Sequence, residues 1–138
     1  MANLPLFSLE DVKNKRVLVR VDFNVPVQKN NVTDITRLTA VLPTLRELIK
    51  DKAKIILLSH RGRPQGKIDP DLSLHRVAKA LEDILEQPVA FCSETIGATA
   101  QQAVNKVKAG EVLLLENLRF HPGEENNDPD FAKELADL

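Results

Sequence analysis

Four short runs constrain this chain most: "RVLVRV" at 16–21, "KIILLS" at 54–59, "PVAFCS" at 88–93 and "EVLLLEN" at 111–117. Each is continuously apolar rather than alternating, as strands buried on both faces are. Between them the period changes to that of a helix. From Asp34 to Lys50, apolar residues fall at Ile35, Leu38, Leu42, Leu45 and Ile49, with Pro43 placed to kink or split the element. From Ser73 to Glu86, a second stripe uses Leu74, Val77, Ala78, Leu81, Ile84 and Leu85, with Ser73 as N-cap. A weaker third stripe runs through Ile96, Ala100, Ala103, Val104 and Val107, and Gly110 is placed to end it. Asp128 and Pro129 read as the N-cap and first turn of a helix carrying Phe131 and Leu135. Asn30-Asn31 is a candidate hairpin turn.

This alternation of strand and helix predicts an α/β fold: a three-layer αβα arrangement around a mainly parallel sheet, Rossmann-like, with right-handed crossovers. The 138 residues suffice for one domain with a real core. Nineteen Lys and Arg against twenty Asp and Glu leave a net charge of −1, so the overall balance does not predict nucleic-acid or membrane-surface binding. Without Trp or Tyr there is no platform for stacking single-stranded bases. No apolar run approaches the roughly 20 residues of a membrane helix. The start, "MANLPLFSLEDVKNKR", shows no secretory pattern. The single cysteine, Cys92, reads as a small core residue and suits a reducing compartment, so a cytoplasmic location is expected.

In an open parallel sheet, ligands bind beyond the carboxyl ends of the strands. The first strand leads into Arg20, Asp22 and Asn24; the second into His60, Arg61, Gly62 and Arg63; the fourth into Arg119 and His121. Arg37 lies in the first turn of the first helix, where a cation opposes the helix dipole at a cost of about 0.3–1 kcal/mol unless an anion lies nearby. Singly, each arginine reads as a solvated charge, Gly62 and Pro64 as loop geometry, and Asp22 and Asn24 equally as turn formers. Three strand ends and a helix start converging on one edge read as a site. Guanidinium forks match carboxylate and phosphate oxygens, so the expected ligand is a small molecule carrying more than one anionic group. "GRPQGK" at 62–67 imitates a phosphate loop but is one residue short and lacks its Ser or Thr. The three histidines and Cys92 have no metal-ligand spacing, and no nucleophile sits with a base.

"RVLVRVDFNVPV", "TDITRLTAVLPTL", "IILLSHRGRP" and "LLLENLRFHPGEE", in that order, resemble the N-terminal domain of the phosphoglycerate kinase family across essentially the whole chain. The resemblance implies reversible phosphoryl transfer between 1,3-bisphosphoglycerate and ADP, giving 3-phosphoglycerate and ATP in glycolysis. It implies that residues 1–138 are a partial 3-phosphoglycerate-binding domain. The C-terminal domain, which would hold Mg-ADP or Mg-ATP, is absent, and this chain would bind no cofactor or metal. Its implied substrate contacts are Arg20, Asp22, Phe23, Asn24, Arg37, His60, Arg61, Gly62, Arg63 and Arg119. Among them Asp22 and Asn24 would meet the hydroxyl and carboxyl end, His60, Arg63 and Arg119 would meet the remote phosphate, and Arg20 would support the patch. Arg37 would be catalytic, balancing charge on the phosphoryl group in flight. Arg61 stands where leucine is common, and Ile35 where a second acidic residue is common. The full-length enzyme would be a monomer, the isolated chain inactive, and "RVLVRV" an exposed sheet edge. The alternative expectation is an inactive fragment acting only as a small-polyanion binding module or folding unit.

Overall fold

In a computed structural model that describes residues 11–138, the four apolar runs form parallel strands and the helical stripes cover both faces of their sheet. The strands are β1 (Arg16–Arg20), β4 (Lys54–Leu58), β5 (Val89–Cys92) and β6 (Val112–Leu115), ordered β1-β4-β6-β5. A separate antiparallel hairpin joins β2 (Val27–Gln28) to β3 (Asn31–Val32). The helices are α1 (Thr36–Lys50), α2 (His75–Leu85), α3 (Gly97–Asn105), α4 (Pro122–Glu125) and α5 (Pro129–Ala136). The amino-terminal stretch read for a signal lies largely outside the described residues.

Successive side chains on a strand face opposite ways, and the two cores divide accordingly. Ile55, Leu57, Val112 and Leu114 pack with Leu38, Leu42, Leu45 and Leu48 of α1 and Val77, Ala78 and Leu81 of α2. Ile56, Leu58, Leu113, Leu115 and Cys92 pack on the other face with Ala100 and Val104 of α3 and Phe131 of α5. Cys92 is buried, as a small core residue should be. Burying a side chain of this kind contributes about 1.5–3 kcal/mol, so the continuous apolar runs are explained by their two covered faces. Among the described residues β1 pairs only with β4, and its central residues are partly exposed, which makes it a sheet edge.

Several local expectations are corrected. Pro43 does not split α1: it is exposed, so the hydrogen bond its missing N–H removes lies on the solvent side. Ile35 does not complete the stripe but precedes the helix, 45% exposed, while Leu48 completes the buried face. Ser73 lies one residue before the N-cap, Leu74, although its hydroxyl still accepts the His75 N–H at 3.2 Å. The third helix ends at Asn105, and Gly110 turns the chain before β6 with φ of 84°. The hairpin turn is Lys29-Asn30, one residue early, both with positive φ; Asn31 is already in β3. Asp128 caps α5 as expected, its carboxylate accepting the Asp130 N–H at 2.9 Å.

Candidate anion-binding site

Three loops leave the carboxyl edge of the sheet, and three buried polar residues, Asn117, Glu116 and Ser59, lock them together. Asn117, fully buried after β6, accepts the N–H groups of Arg61 (3.1 Å) and Arg119 (3.0 Å) on Oδ1. Its Nδ2 donates to the carbonyls of Arg61 (2.7 Å) and Leu72 (3.0 Å). Glu116 accepts the Leu74 N–H at 2.9 Å and the Ser73 hydroxyl at 2.7 Å, supplying from a strand end the anion that the start of α2 lacks. Directly after β4, Ser59 Oγ accepts the Phe23 N–H at 2.9 Å and ties the first loop to the second.

On this frame the expected residues form two groups. In one, Arg37 donates Nη1 to the Asn24 carbonyl and to Asp22 Oδ1, the latter at 3.3 Å. Asp22 Oδ1 also accepts the Asn24 N–H at 3.1 Å. In the other, Arg20 Nη2 and Arg119 Nε reach the two oxygens of Glu124, at 2.8 and 3.0 Å. Gly62 joins the groups, since its N–H donates to Asn24 Oδ1 at 2.9 Å and its carbonyl lies 3.5 Å from Arg119 Nη1. A Cβ at Gly62 would fall 2.7 Å from Leu72 Cδ2, at a φ of 64° that disfavours any side chain. Arg63 is exposed beside it, and among the described residues no ion pair engages it.

Two expected contacts turn the other way. The Phe23 ring is fully buried in the core, which leaves only its backbone at the edge. Arg61, 7% exposed, donates Nε to the Val25 carbonyl at 2.9 Å and Nη1 to the Asp71 carbonyl. A buried guanidinium requires such acceptors, and these hold it in the loops and away from the open edge. Sequence reasoning missed Ser59, Glu116, Asn117 and Glu124. The last three all lie in "LLLENLRFHPGEE", where a polar pair directly after a buried apolar run was the available signal.

The electrostatics at His60 and Glu124 reflect the cations gathered around them. Partial burial pushes the His60 imidazole below its ordinary 6.5, and Arg119 and Arg20 push it further the same way. Burial raises the Glu124 carboxyl, but the hydrogen bonds from Arg20 and Arg119 outweigh that and hold its pKa below the usual carboxylate value.

Among the described residues no three His, Cys, Asp or Glu side chains gather in one place, and "GRPQGK" leads into a single 3₁₀ turn at Pro70–Leu72 and not an α-helix. The grooves of about 300 and 680 Å³ beside the hairpin are lined by other residues; of the patch only Arg61 reaches the larger one. No helix among the described residues is long and apolar enough to cross a membrane.

A doubly wound α/β unit with a basic patch at its carboxyl edge is the class this fold and site define. The family model "Phosphoglycerate kinase" matches residues 7–138, and the chain belongs to that family. It is 53% identical to the phosphoglycerate kinase of Gloeothece citriformis over 99% of this chain and 33% of that protein. To that of Moorella thermoacetica it is also 53% identical, over 100% of this chain and 35% of the other. The phosphoglycerate kinase structure from Pyrococcus horikoshii superposes with a TM-score of 0.81 at 34% identity, covering 96% of this chain and 35% of its own. That from Coxiella burnetii gives 0.81 at 35% identity, covering 97% and 33%. The chain thus spans about a third of the length of the relatives it matches.

Proposed function

We propose that this chain supplies the phosphoglycerate-binding half of a phosphoglycerate kinase, acting in glycolysis on 3-phosphoglycerate and 1,3-bisphosphoglycerate. The observation that carries the reading is the pair of cationic groups joined at Gly62, one built on Arg37 and the other on Arg20 and Arg119. Two cationic centres on one edge suit a ligand with an anion at each end.

His60, Arg63 and Arg119 bind the phosphate remote from the chemistry, and Arg20 supports them. The carboxyl end lies against Asp22, Asn24 and Arg37; the Asn24 side chain accepts the Gly62 N–H on Oδ1, and among the described residues its Nδ2 has no acceptor and can donate to a hydroxyl or carboxylate. Phe23, Arg61 and Gly62 shape the loops rather than offering side chains to the ligand. Phosphoryl transfer is catalysed mainly by positioning and by electrostatic stabilisation, and Arg37 supplies that charge at the reacting end. Mg-ADP or Mg-ATP binds on a C-terminal domain of the enzyme beyond this chain, so the 138 residues alone form no ATP. The enzyme is a cytoplasmic monomer.

The experiment is a titration of 3-phosphoglycerate followed by amide NMR. Saturable shifts at Asp22, Asn24, Arg37, His60, Arg63 and Arg119 are expected. A folded protein whose shifts lie elsewhere, or that shows none, would contradict the assignment.

A further inference from the structure

Glu124 has no part in the binding set above, yet it is an acceptor that Arg20 and Arg119 share. Its side chain is 11% exposed, with Oε1 on Arg20 Nη2 at 2.8 Å and Oε2 on Arg119 Nε at 3.0 Å. The turn carrying it is firmly seated. His121 Nδ1 accepts the Gly123 N–H at 2.9 Å, and the His121 ring stacks on Phe131 with centroids 4.2 Å apart. A Cβ at Gly123 would lie 2.8 Å from Phe131 Cβ, so only glycine lets the turn press this closely on α5. Arg119 meets the carboxylate through Nε, and Arg20 through Nη2 alone. Each guanidinium keeps further N–H groups for a ligand, because arginine has five donors in a fixed fork.

We propose that Glu124 is a positioning residue of the anion patch: its carboxylate spans Arg20 and Arg119 and sets the direction in which both guanidiniums face the ligand phosphate. The proposal rests on the reading of this patch as the phosphate end of a phosphoglycerate site. Its contrary is that Glu124 merely places a repelling charge beside the ligand. Glu125 separates the two, since it is 47% exposed and lies 3.6 Å from Arg119 alone. Glu125→Gln makes the same charge change while leaving both hydrogen bonds of the Glu124 bridge in place.

The test uses the natural polypeptide at its full length, with steady-state kinetics at varied 3-phosphoglycerate. Glu124→Gln is expected to raise KM about tenfold, as the loss of one charge-assisted contact would, with kcat within about twofold. Glu125→Gln is expected to leave both within about twofold. A KM for Glu124→Gln that is unchanged, lowered or equal to that of Glu125→Gln overturns the proposal. Should Glu124→Gln fail to fold, Glu124→Asp decides on the same criterion, being one methylene too short to span both arginines. If the unaltered polypeptide turns over no 3-phosphoglycerate, the functional reading fails. Binding of inorganic phosphate then decides the inference: about tenfold weakening in the Glu124 variant upholds it and unchanged binding overturns it.

Discussion

Replacing Asn117 by Ala would remove four hydrogen bonds at once, and the structure sets the magnitude. Two serve Arg61, whose N–H and carbonyl bond to Asn117 in fully buried surroundings. Leaving each of those without a partner costs about 1–3 kcal/mol. The other two serve the Arg119 N–H and the Leu72 carbonyl, which are partly buried and within reach of water, so each costs nearer 0.5 kcal/mol. The sum is about 5 kcal/mol, a large fraction of the 5–15 kcal/mol by which such domains are stable. Urea unfolding followed by circular dichroism reads this as a midpoint lowered by about 2.5 M for a slope near 2 kcal/mol/M. Asn117→Asp keeps the two acceptor bonds but turns an oxygen towards two carbonyls, so it should destabilise comparably. A loss below about 1 kcal/mol for Asn117→Ala would refute the reasoning, because it would mean that water or another side chain takes over all four groups.

Two further outcomes rest on individual side chains. His60 is held below its ordinary 6.5, first by burial and then by Arg119 and Arg20, so its Cε1 resonance should titrate with a midpoint under that value. The sign follows: the unfolded chain takes up the proton more readily, so this contribution to stability is full above about 6.5 and is lost as pH falls through the folded value. Adding 3-phosphoglycerate should move the midpoint up, and a free-state midpoint at or above 6.5 would contradict the crowding of cations. Arg37→Ala in the full-length polypeptide should lower kcat about 10²-fold, with KM for 3-phosphoglycerate changed by less than about fivefold. Equal losses in both would count against a role for Arg37 at the reacting end.

The strands were legible because burial on both faces leaves no room for polar residues: the four runs match β1, β4, β5 and β6 to within two residues. Parallel order followed from the alternation with helices, which also marks the carboxyl edge of the sheet as the candidate place for a ligand. Helix starts were less legible, because caps can come from afar: α2 is capped by Glu116, 42 residues on from Leu74. The cations of the site were legible singly, since arginine after a strand end is visible in the sequence. Their orientation was not. Arg61 and Arg63 flank one glycine, yet Arg61 turns into the loops and Arg63 faces solvent. The carboxylate that joins Arg20 to Arg119 comes from a four-residue turn whose only marks in the sequence are Pro122, Gly123 and two glutamates.

The most direct measurement compares the dissociation constants of 3-phosphoglycerate, glycerate and inorganic phosphate for the same protein at fixed ionic strength. Two joined cationic groups predict that 3-phosphoglycerate binds at least about tenfold more tightly than either partial ligand, since both ends are held at once. If inorganic phosphate binds as tightly as 3-phosphoglycerate, the patch is a single anion site, and the account of a built phosphoglycerate site is wrong.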